Sequence, residues 1–240
     1  MKLFKLLGYL LLTSTSVFAK DSTWLNRSRF TIGIHASPDY CFRELGIVRG
    51  TDYALDTYEY RTRTEIPAIG FTTGAVISYT LKKQVAISLG VNYSQKCYTT
   101  EPLTLVTAQN PYEPIGTIQF RHNFDYLEIP VKATAILGKK KIRFVASAGI
   151  SPSFLLYERE IYKIKYNTGT RVNTKQQPNY INKTFNLFVN GSLGADIKMG
   201  KRMGLRLEPY YSYGLNQTVG ESITEYLWCT GLNVGCYIFL

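Results

Sequence analysis

Long stretches of the chain alternate strictly between apolar residues and small or polar residues. In residues 126–137 every odd position from Leu127 to Leu137 is apolar, while the even positions include Glu128, Lys132 and Thr134. A period of two places successive side chains on opposite faces of a β-strand, so one face of each stretch is continuously apolar. The pattern recurs at residues 29–37, 71–81, 85–94, 126–137, 142–151, 184–199, 203–215 and 228–240.

These predicted strands number about eight and are roughly ten residues long, which is the length that crosses a bilayer at a tilt. Beyond the N-terminus there is no run of roughly eighteen apolar residues, so a helical membrane protein is excluded. A soluble barrel would turn its apolar face inward and expose a polar face to water. Here the small and polar face suits the narrow interior of eight strands, and the long apolar face suits lipid. We therefore expect an all-β fold, an eight-stranded antiparallel up-and-down transmembrane β-barrel.

The connections between the predicted strands alternate between short and long. Tight turns are expected at residues 81–84, 138–141 and 200–203. Longer connections are expected at residues 38–66, 95–122, 157–182 and 214–224. This order is typical of a meander with its turns and termini in the periplasm and its loops outside, where they are the expected contact surfaces. Open strand edges are not tolerated in lipid, so the first strand should pair with the last.

The N-terminus has the features of an export signal. Lys2 and Lys5 precede a short apolar stretch, and Ala19 supplies the small residue that a cleavage site needs. We predict a signal peptide over 1–19, removed after Ala19, and one barrel domain over 20–240. Loss of the two lysines lowers the formal net charge from +11 to +9. The mature chain would then meet an oxidising compartment.

Cysteine and histidine are too few and too scattered to predict a metal site. The cysteines are Cys41, Cys97, Cys229 and Cys236. None are in CxxC spacing and only two histidines are present, so we expect no metal. We also expect no cofactor, because the chain has no phosphate-binding or dinucleotide-binding motif. A disulfide from Cys41 to Cys97 or to Cys229 is one prediction, and unpaired buried thiols are the other.

Charged residues on the polar face of the strands predict an interior network. Its members are Glu128, Lys132, Arg143, Arg206 and Glu208. An unpaired charge inside a membrane barrel is costly, so we expect these five to neutralise one another and to plug the interior. A proton or ion path is the alternative role. The remaining basic residues are concentrated in turns and near strand ends, where they would face headgroups or the periplasm rather than nucleic acid.

His35 and Ser37 lie on one face of a predicted strand, because they are two residues apart. A histidine beside a serine is what a lipid A hydrolase or acyltransferase would need for nucleophilic catalysis. No matching acid is identifiable, although Glu44 is near in sequence. We interpret the pair as ordinary interior polar residues and expect no catalytic residues. His122, at a predicted loop-to-strand junction, is expected to be solvated.

Several segments resemble a family of small outer-membrane β-barrels that is common in Bacteroidota and is called the porin family or PorT-like. The similarity lies in residues 126–131 (YLEIPV), 148–154 (AGISPSF), 211–215 (YSYGL) and 231–239 (GLNVGCYIF). It extends over 29–240 and implies an outer-membrane location, with lipid and lipopolysaccharide as neighbours. It also implies insertion by the barrel-assembly machinery, which reads an aromatic residue near the end of the last strand, here Phe239. The resemblance implies no shared activity, because members are mostly uncharacterised and fold does not settle function.

The sequence thus predicts a non-enzymatic outer-membrane barrel with a plugged interior. Its loops would support the envelope or contact a ligand or partner. Three alternatives stay open. The PorT-like resemblance allows an accessory barrel of the type IX secretion machinery, with a secretion complex as partner. A lipid A-modifying enzyme would use His35 and Ser37, and a narrow solute channel would conduct ions through the interior.

Overall fold

A computed structural model of the protein describes residues 29–48, 52–82, 84–138, 141–177, 183–200, 202–217 and 223–240. Over these ranges the chain forms strands and one helix. In chain order they are β1 Phe30–Ile47, α1 Asp52–Thr64, β2 Glu65–Lys82, β3 Val85–Thr100, β4 Leu103–Val106, β5 Pro114–Glu128, β6 Val131–Leu137, β7 Ile142–Tyr166, β8 Arg171–Gln176, β9 Phe185–Lys198, β10 Met203–Gly214 and β11 Ile223–Phe239. Within the described part of the chain, no helix is long and apolar enough to cross a membrane.

The strands close into a ring in which neighbours are antiparallel. β1 pairs with β2 on one side and with β11 on the other, so the first strand meets the last. From β2 the ring continues through β3, β5 together with β6, β7, β9 and β10 to β11. β4 and β8 lie outside the ring and extend β5 and β7 as hairpins. The predicted eight-stranded up-and-down barrel and the pairing of its end strands are confirmed.

β5 and β6 form one wall strand that is interrupted at Ile129 and Pro130. Proline has no N–H to donate to a neighbouring strand. The wall stays continuous because the Ile129 N–H donates to the carbonyl of Pro152 and the Gly90 N–H donates to the carbonyl of Pro130, both at 2.9 Å. Pro130 therefore sits at a local break in an otherwise closed sheet.

The two faces of the wall have the predicted chemistry. Apolar side chains point outward, and Ile34, Phe144 and Leu193 are 67%, 71% and 69% exposed. The inward side chains of the same strands are mostly small or polar, and Ser88 and Ser147 among them are buried. A band of this kind around the whole barrel would be unfavourable in water and matches the hydrocarbon layer of a bilayer.

Apolar clusters lie inside the barrel at two heights. Near the tight turns, Ala86, Ile136 and Val145 pack together. Towards the other end, the buried cluster consists of Tyr98, Phe124, Tyr126, Phe188 and Leu227. Polar and charged side chains occupy the space between them. Side chains therefore occupy the interior at each of these levels.

The structure corrects the prediction that residues 38–66, 95–122 and 157–182 are long loops. Within 38–66, β1 runs on to Ile47 and α1 follows. Within 95–122 and 157–182, the chain forms β4 and β8 and the outer parts of β3, β5 and β7. The strands of the ring are accordingly longer than the ten residues expected, and β7 reaches 25. In these extensions the apolar side chains move to the inward face, as Ile118, Phe120 and Tyr162 show. A search for a lipid-facing apolar stripe therefore does not select them.

Two of the predicted tight turns contain glycines in the left-handed region. Gly138 has a φ of 105° and Gly200 has a φ of 95°. Only glycine adopts such angles without strain, so these positions favour the short reversals between wall strands. The predicted signal peptide over 1–19 lies outside the described residues.

Candidate functional site

The five predicted interior charges do not form one network; the structure distributes them over three groups. Glu128 pairs with Lys96, with 2.9 Å between Oε1 and Nζ. Lys96 also has its Nζ 4.4 Å from the centre of the Phe188 ring. This buried lysine was missed because it lies beyond the stretch of β3 in which the alternation is regular.

A second group forms around a carboxylate that the sequence analysis did not select. Arg143 is bonded to Asp196, and Arg206 Nη2 lies 3.7 Å from Asp196 Oδ2. The guanidinium of Arg206 also sits 4.6 Å from the centre of the Tyr237 ring. Asp196 is on the inward face of β9, so the pattern could have identified it as the partner of two arginines.

Glu208 occupies a third group, made mainly of hydroxyls. Its Oε1 accepts hydrogen bonds from Ser147 at 3.0 Å and from Ser192 at 3.2 Å. Lys132 lines a small cavity together with Glu208. It also lines a second cavity. The expectation that all five charges neutralise one another stays a prediction.

Two cavities interrupt the packing of the barrel interior. They have volumes of about 30 and 20 Å³ and share His35, Pro130, Lys132 and Asn233 in their linings. Spaces of this size hold one or two water molecules each. His35 Nδ1 and Asn233 Oδ1 are buried and have no hydrogen-bond partner among the described protein atoms. Each cavity is lined by both polar and apolar side chains.

His35 and Ser37 lie on the inward face of β1, as predicted, and the Ser37 hydroxyl bonds to the carboxylate of Asp39. The hydroxyl donates to Asp39 Oδ1 at 2.6 Å, and Thr72 donates to the other oxygen of that carboxylate at 2.5 Å. His35 lines both cavities, and Ser37 lines one of them. Both side chains are inside the wall, on the side opposite the lipid.

The outer end of the barrel is closed by two arginines and two glutamates. Arg43 is bonded to Glu65, and its Nε lies 3.9 Å from Glu225. Arg61, in the last turn of α1, contacts both carboxylates at 2.8 Å. Its Nη2 also donates to the Tyr98 hydroxyl at 3.1 Å. We call Arg43, Arg61, Glu65 and Glu225 the mouth cluster; three of its four members fall within the segment that was expected to be a loop.

Within the mouth cluster, the two arginines pair with the two glutamates. Burial by itself would lower the pKa of Arg61, but Tyr98, Glu225 and Glu65 together raise it above its ordinary value. Arg61 therefore stays charged while partly buried, and it ties the last turn of α1 to β2, β3 and β11. Ala54 at the start of the helix is also buried. The sequence analysis missed this arrangement because no local pattern connects residues so far apart in the chain.

His122 lies beside the mouth cluster and is not solvated as expected. Its Nδ1 is 3.2 Å from Glu160 Oε1, and its ring stacks on Tyr98 with 4.7 Å between centres. Burial lowers the pKa of His122, and the neighbouring glutamates only partly offset this. The correction follows from the extension of β5 and β7, which places His122 on the inward face of the wall.

Aromatic side chains mark the upper limit of the apolar band. They form pairs around the wall: Tyr40 with Trp228, Phe71 with Tyr93, Phe154 with Phe185, and Tyr211 with Trp228. We call these residues the upper girdle. Near the chain ends, Phe30 packs against Tyr79 at the opposite limit. Aromatic belts at both limits are typical of transmembrane barrels.

A disulfide joins the first and last strands at the level of the upper girdle, between Tyr40 and Trp228. It links Cys41 to Cys229, which are directly opposite in the pairing of β1 with β11. Of the two pairings that the sequence left open, this one is formed, while Cys97 is a buried free thiol and Cys236 an exposed one. In the described part of the chain, no group of three or more histidines, cysteines and carboxylates is placed to hold a metal ion.

The barrel resembles several solved outer-membrane proteins at low sequence identity. Neisserial surface protein A is 11% identical with a TM-score of 0.43, over 90% of this chain and 99% of that one. Ail from Yersinia pestis is 8% identical with a TM-score of 0.36, over 87% and 99%. The outer membrane protease OmpT from Escherichia coli is 6% identical with a TM-score of 0.41, over 92% and 99%. Likeness at this level decides nothing about the activity of this chain.

A comparison with curated proteins finds no match. The family model described as "Outer membrane protein beta-barrel domain" matches residues 22–220, which is most of the chain. That match agrees with the closed ring, the outward apolar band and the aromatic girdles. The chain therefore belongs to the outer membrane protein β-barrel domain family and is an outer-membrane β-barrel protein.

Proposed function

We propose that the protein is a non-enzymatic, closed barrel that anchors a structured contact surface at the outer face of the outer membrane. The observation that carries this proposal is the mouth cluster, in which Arg61 ties the last turn of α1 to β2 and β11. A helix fixed by buried ion pairs is a presented surface rather than a mobile loop. Envelope support and partner contact are both compatible with such a surface.

The filled interior argues against transport of solutes. The described interior contains two water-sized cavities, and apolar clusters lie inside the barrel at two heights. Eight strands leave room for side chains and not for an aqueous lumen. A solute would have to displace several buried charges with their partners, which is costly in a membrane interior.

Planar-bilayer recording of the purified barrel tests the closed state. We expect no conductance steps above background at neutral pH, both for the native protein and for a variant carrying Arg63→Gln on the exposed side of α1. The double variant Arg61→Ala, Glu225→Ala weakens the outer closure, but the interior below it should still block ions. Regular steps from the native barrel would contradict a plugged interior.

The exposed side of α1 is suited to contact with a protein. Tyr53 is 80% exposed and Tyr60 55% exposed, and their spacing of seven residues places both on one side of the helix. Together with the PorT-like resemblance, this favours a secretion complex of the type IX class as a second candidate role. Crosslinking in intact cells from Tyr53, followed by purification of the tagged barrel, should recover secretion subunits if that role is correct. Recovery of the barrel alone would count against it.

A lipid A-modifying activity is the candidate that the geometry supports least. His35 and Ser37 are inside the wall, whereas lipid A lies outside it. We expect the double variant His35→Ala, Ser37→Ala to leave the lipid A mass spectrum unchanged. A shift that depends on these two residues would instead establish an enzyme.

A further inference from the structure

The wall continues above the upper girdle as a small sheet made of β5, β7 and β8. Its register places residues of the three strands side by side. Lys163 is opposite Gln119 on one side and Asn173 on the other, and Lys165 is opposite Thr117 and Arg171. Residues directly opposite in an antiparallel pair share a face of the sheet. Lys163, Lys165 and Arg171 therefore lie on one face.

A fourth basic residue belongs to the same face. Lys175 is opposite Ile161, which is two residues from Lys163 along β7. Alternation along a strand places Ile161, Lys163 and Lys165 on the same side. We call Lys163, Lys165, Arg171 and Lys175 the basic ladder.

The basic ladder is on the outer face of the barrel. The opposite face of the same strands carries His122 with Glu160 and Phe120 with Tyr162, and these pairs line the barrel mouth. The ladder side chains therefore point away from the mouth. Along β7 their face continues downward into the exposed Phe154 of the upper girdle, which is the lipid-facing side.

The ladder charges are exposed and have no carboxylate partner. All four residues are solvent-exposed. Among the described residues, no carboxylate lies within 4.0 Å of any of the four, in contrast to the interior arginines. Elsewhere on the rim the outer surface carries an acidic group, Glu44, which accepts a hydrogen bond from Tyr213 at 2.9 Å. Positive charge is thus concentrated in one sector above the lipid.

The height of the basic ladder above the membrane indicates which anionic groups it can contact. With a rise of about 3.3 Å per residue and a strand tilt of about 40°, Lys163 stands roughly 20 Å above Phe154. That is above the phosphates of the lipid headgroups at the membrane interface. It matches the level of the sugars that lipopolysaccharide carries outward from its lipid anchor, which bear carboxylates and phosphates.

We propose that the basic ladder binds the anionic core sugars of lipopolysaccharide in the same leaflet. Lys163, Lys165 and Arg171 supply adjacent cationic groups for carboxylate and phosphate oxygens, and Lys175 extends the site towards the membrane. The neighbouring amide side chains of Gln119 and Asn173 add hydrogen-bonding groups. This inference depends on the outer-membrane location and is independent of the plugged interior.

Binding measured on the purified, folded barrel tests the assignment. Native mass spectrometry in detergent would follow titration with three probes: lipopolysaccharide carrying its core sugars, lipid A alone, and a soluble heparin fragment. The test variant is Lys163→Gln, Lys165→Gln, Arg171→Gln. Its matched control is Arg29→Gln, Lys141→Gln, Arg202→Gln, which removes the same charge from the periplasmic end. Heat-modified gel mobility verifies that each variant is folded.

We expect the native barrel to bind core-bearing lipopolysaccharide more tightly than lipid A. The test variant should lose about ten-fold or more of that affinity, because each basic residue near an anionic surface contributes substantially. The control variant should change less than two-fold. An unaffected test variant would overturn the proposal. Equal losses for lipid A would overturn the assignment to core sugars, and a loss confined to heparin would assign the site to a soluble polyanion instead.

Discussion

At the scale of single residues, glycines of one strand differ in what surrounds them. A Cβ added at Gly194 would overlap the backbone carbonyl oxygen of Leu207 on the next strand. A Cβ added at Gly191, on the outward face of the same strand, would meet nothing within 4 Å. The inward glycine therefore lets two wall strands approach closely, and the outward one does not.

Alanine substitution should separate these two positions. We expect Gly194→Ala to destabilise the folded barrel by about 1–3 kcal/mol, since the added methyl forces backbone shifts. Gly191→Ala should change the unfolding free energy by less than about 0.5 kcal/mol. Urea unfolding of both variants in lipid vesicles gives the comparison. Equal effects would show that the close approach of β9 and β10 is not a constraint.

The disulfide links two residues that are far apart in the sequence. Cys41 and Cys229 are 188 residues apart in sequence, and their bond links the strands at which the ring closes. In the chain-entropy model, a cross-link over so long a loop stabilises the folded state by roughly 5 kcal/mol. Almost the whole barrel lies between the two linked residues.

Removal of the disulfide should weaken ring closure. We expect the double variant Cys41→Ser, Cys229→Ser to lose its folded gel mobility at a lower temperature than the native barrel, and reductant should have the same effect on the native protein. Replacing both cysteines prevents the buried Cys97 from acting as a substitute partner. Cys236→Ser, at an exposed free thiol, serves as the control. Identical transition temperatures would mean that hydrogen bonding alone secures the seam.

At the scale of elements, α1 depends on contacts with β1, β2, β3 and β11. Arg61 contacts Glu65 and Glu225, and His122 lies beneath them with Glu160. His122 is held neutral by burial, so its pKa in the closed state is below 6.5. When the mouth opens, His122 regains an ordinary pKa and binds protons more readily. The closed state is therefore favoured at high pH and loses stability as pH falls below about 6.5.

Hydrogen exchange of α1 should report this dependence. After correction for intrinsic rates, we expect faster exchange of the helix amides at pH 5.5 than at pH 7.5. His122→Gln should reduce the difference, because the variant has no group that titrates at this position. The glutamates at the mouth are present in both proteins, so the comparison isolates the histidine. A pH difference that is unchanged in the variant would assign the effect to those glutamates.

At the scale of the whole molecule, the apolar band sets how the barrel sits in the membrane. Leu193 is on the outward face within the band, whereas Tyr53 is on α1 beyond the upper girdle. In a background with Trp24→Phe and Trp228→Phe, tryptophan at either position reports its surroundings. We expect brominated acyl chains to quench Leu193→Trp strongly and Tyr53→Trp hardly at all. Similar quenching at both sites would contradict this placement.

The sequence predicted the wall strands but not the contacts at the barrel mouth. Leu127 to Leu137 alternate because one side faces lipid and the other a narrow interior, and such a constraint is visible in any short segment. His122 was assigned to solvent because its neighbours Arg121 and Asn123 are polar, although it shares a strand face with Phe120 and Phe124. Arg61 and Glu225 were not connected at all, since they meet only when α1 folds over the mouth.

The sequence by itself determined the eight wall strands, the direction of each face, the tight turns and the pairing of β1 with β11. These follow from a local rule, the period of two that lipid imposes on a closed sheet. The tertiary structure alone decided that Cys41 pairs with Cys229, that Asp196 and Lys96 are the partners of the predicted charges, and that the basic ladder shares one face. Those outcomes depend on register and on contacts across the ring, which residues distant in the chain establish only after the barrel has closed.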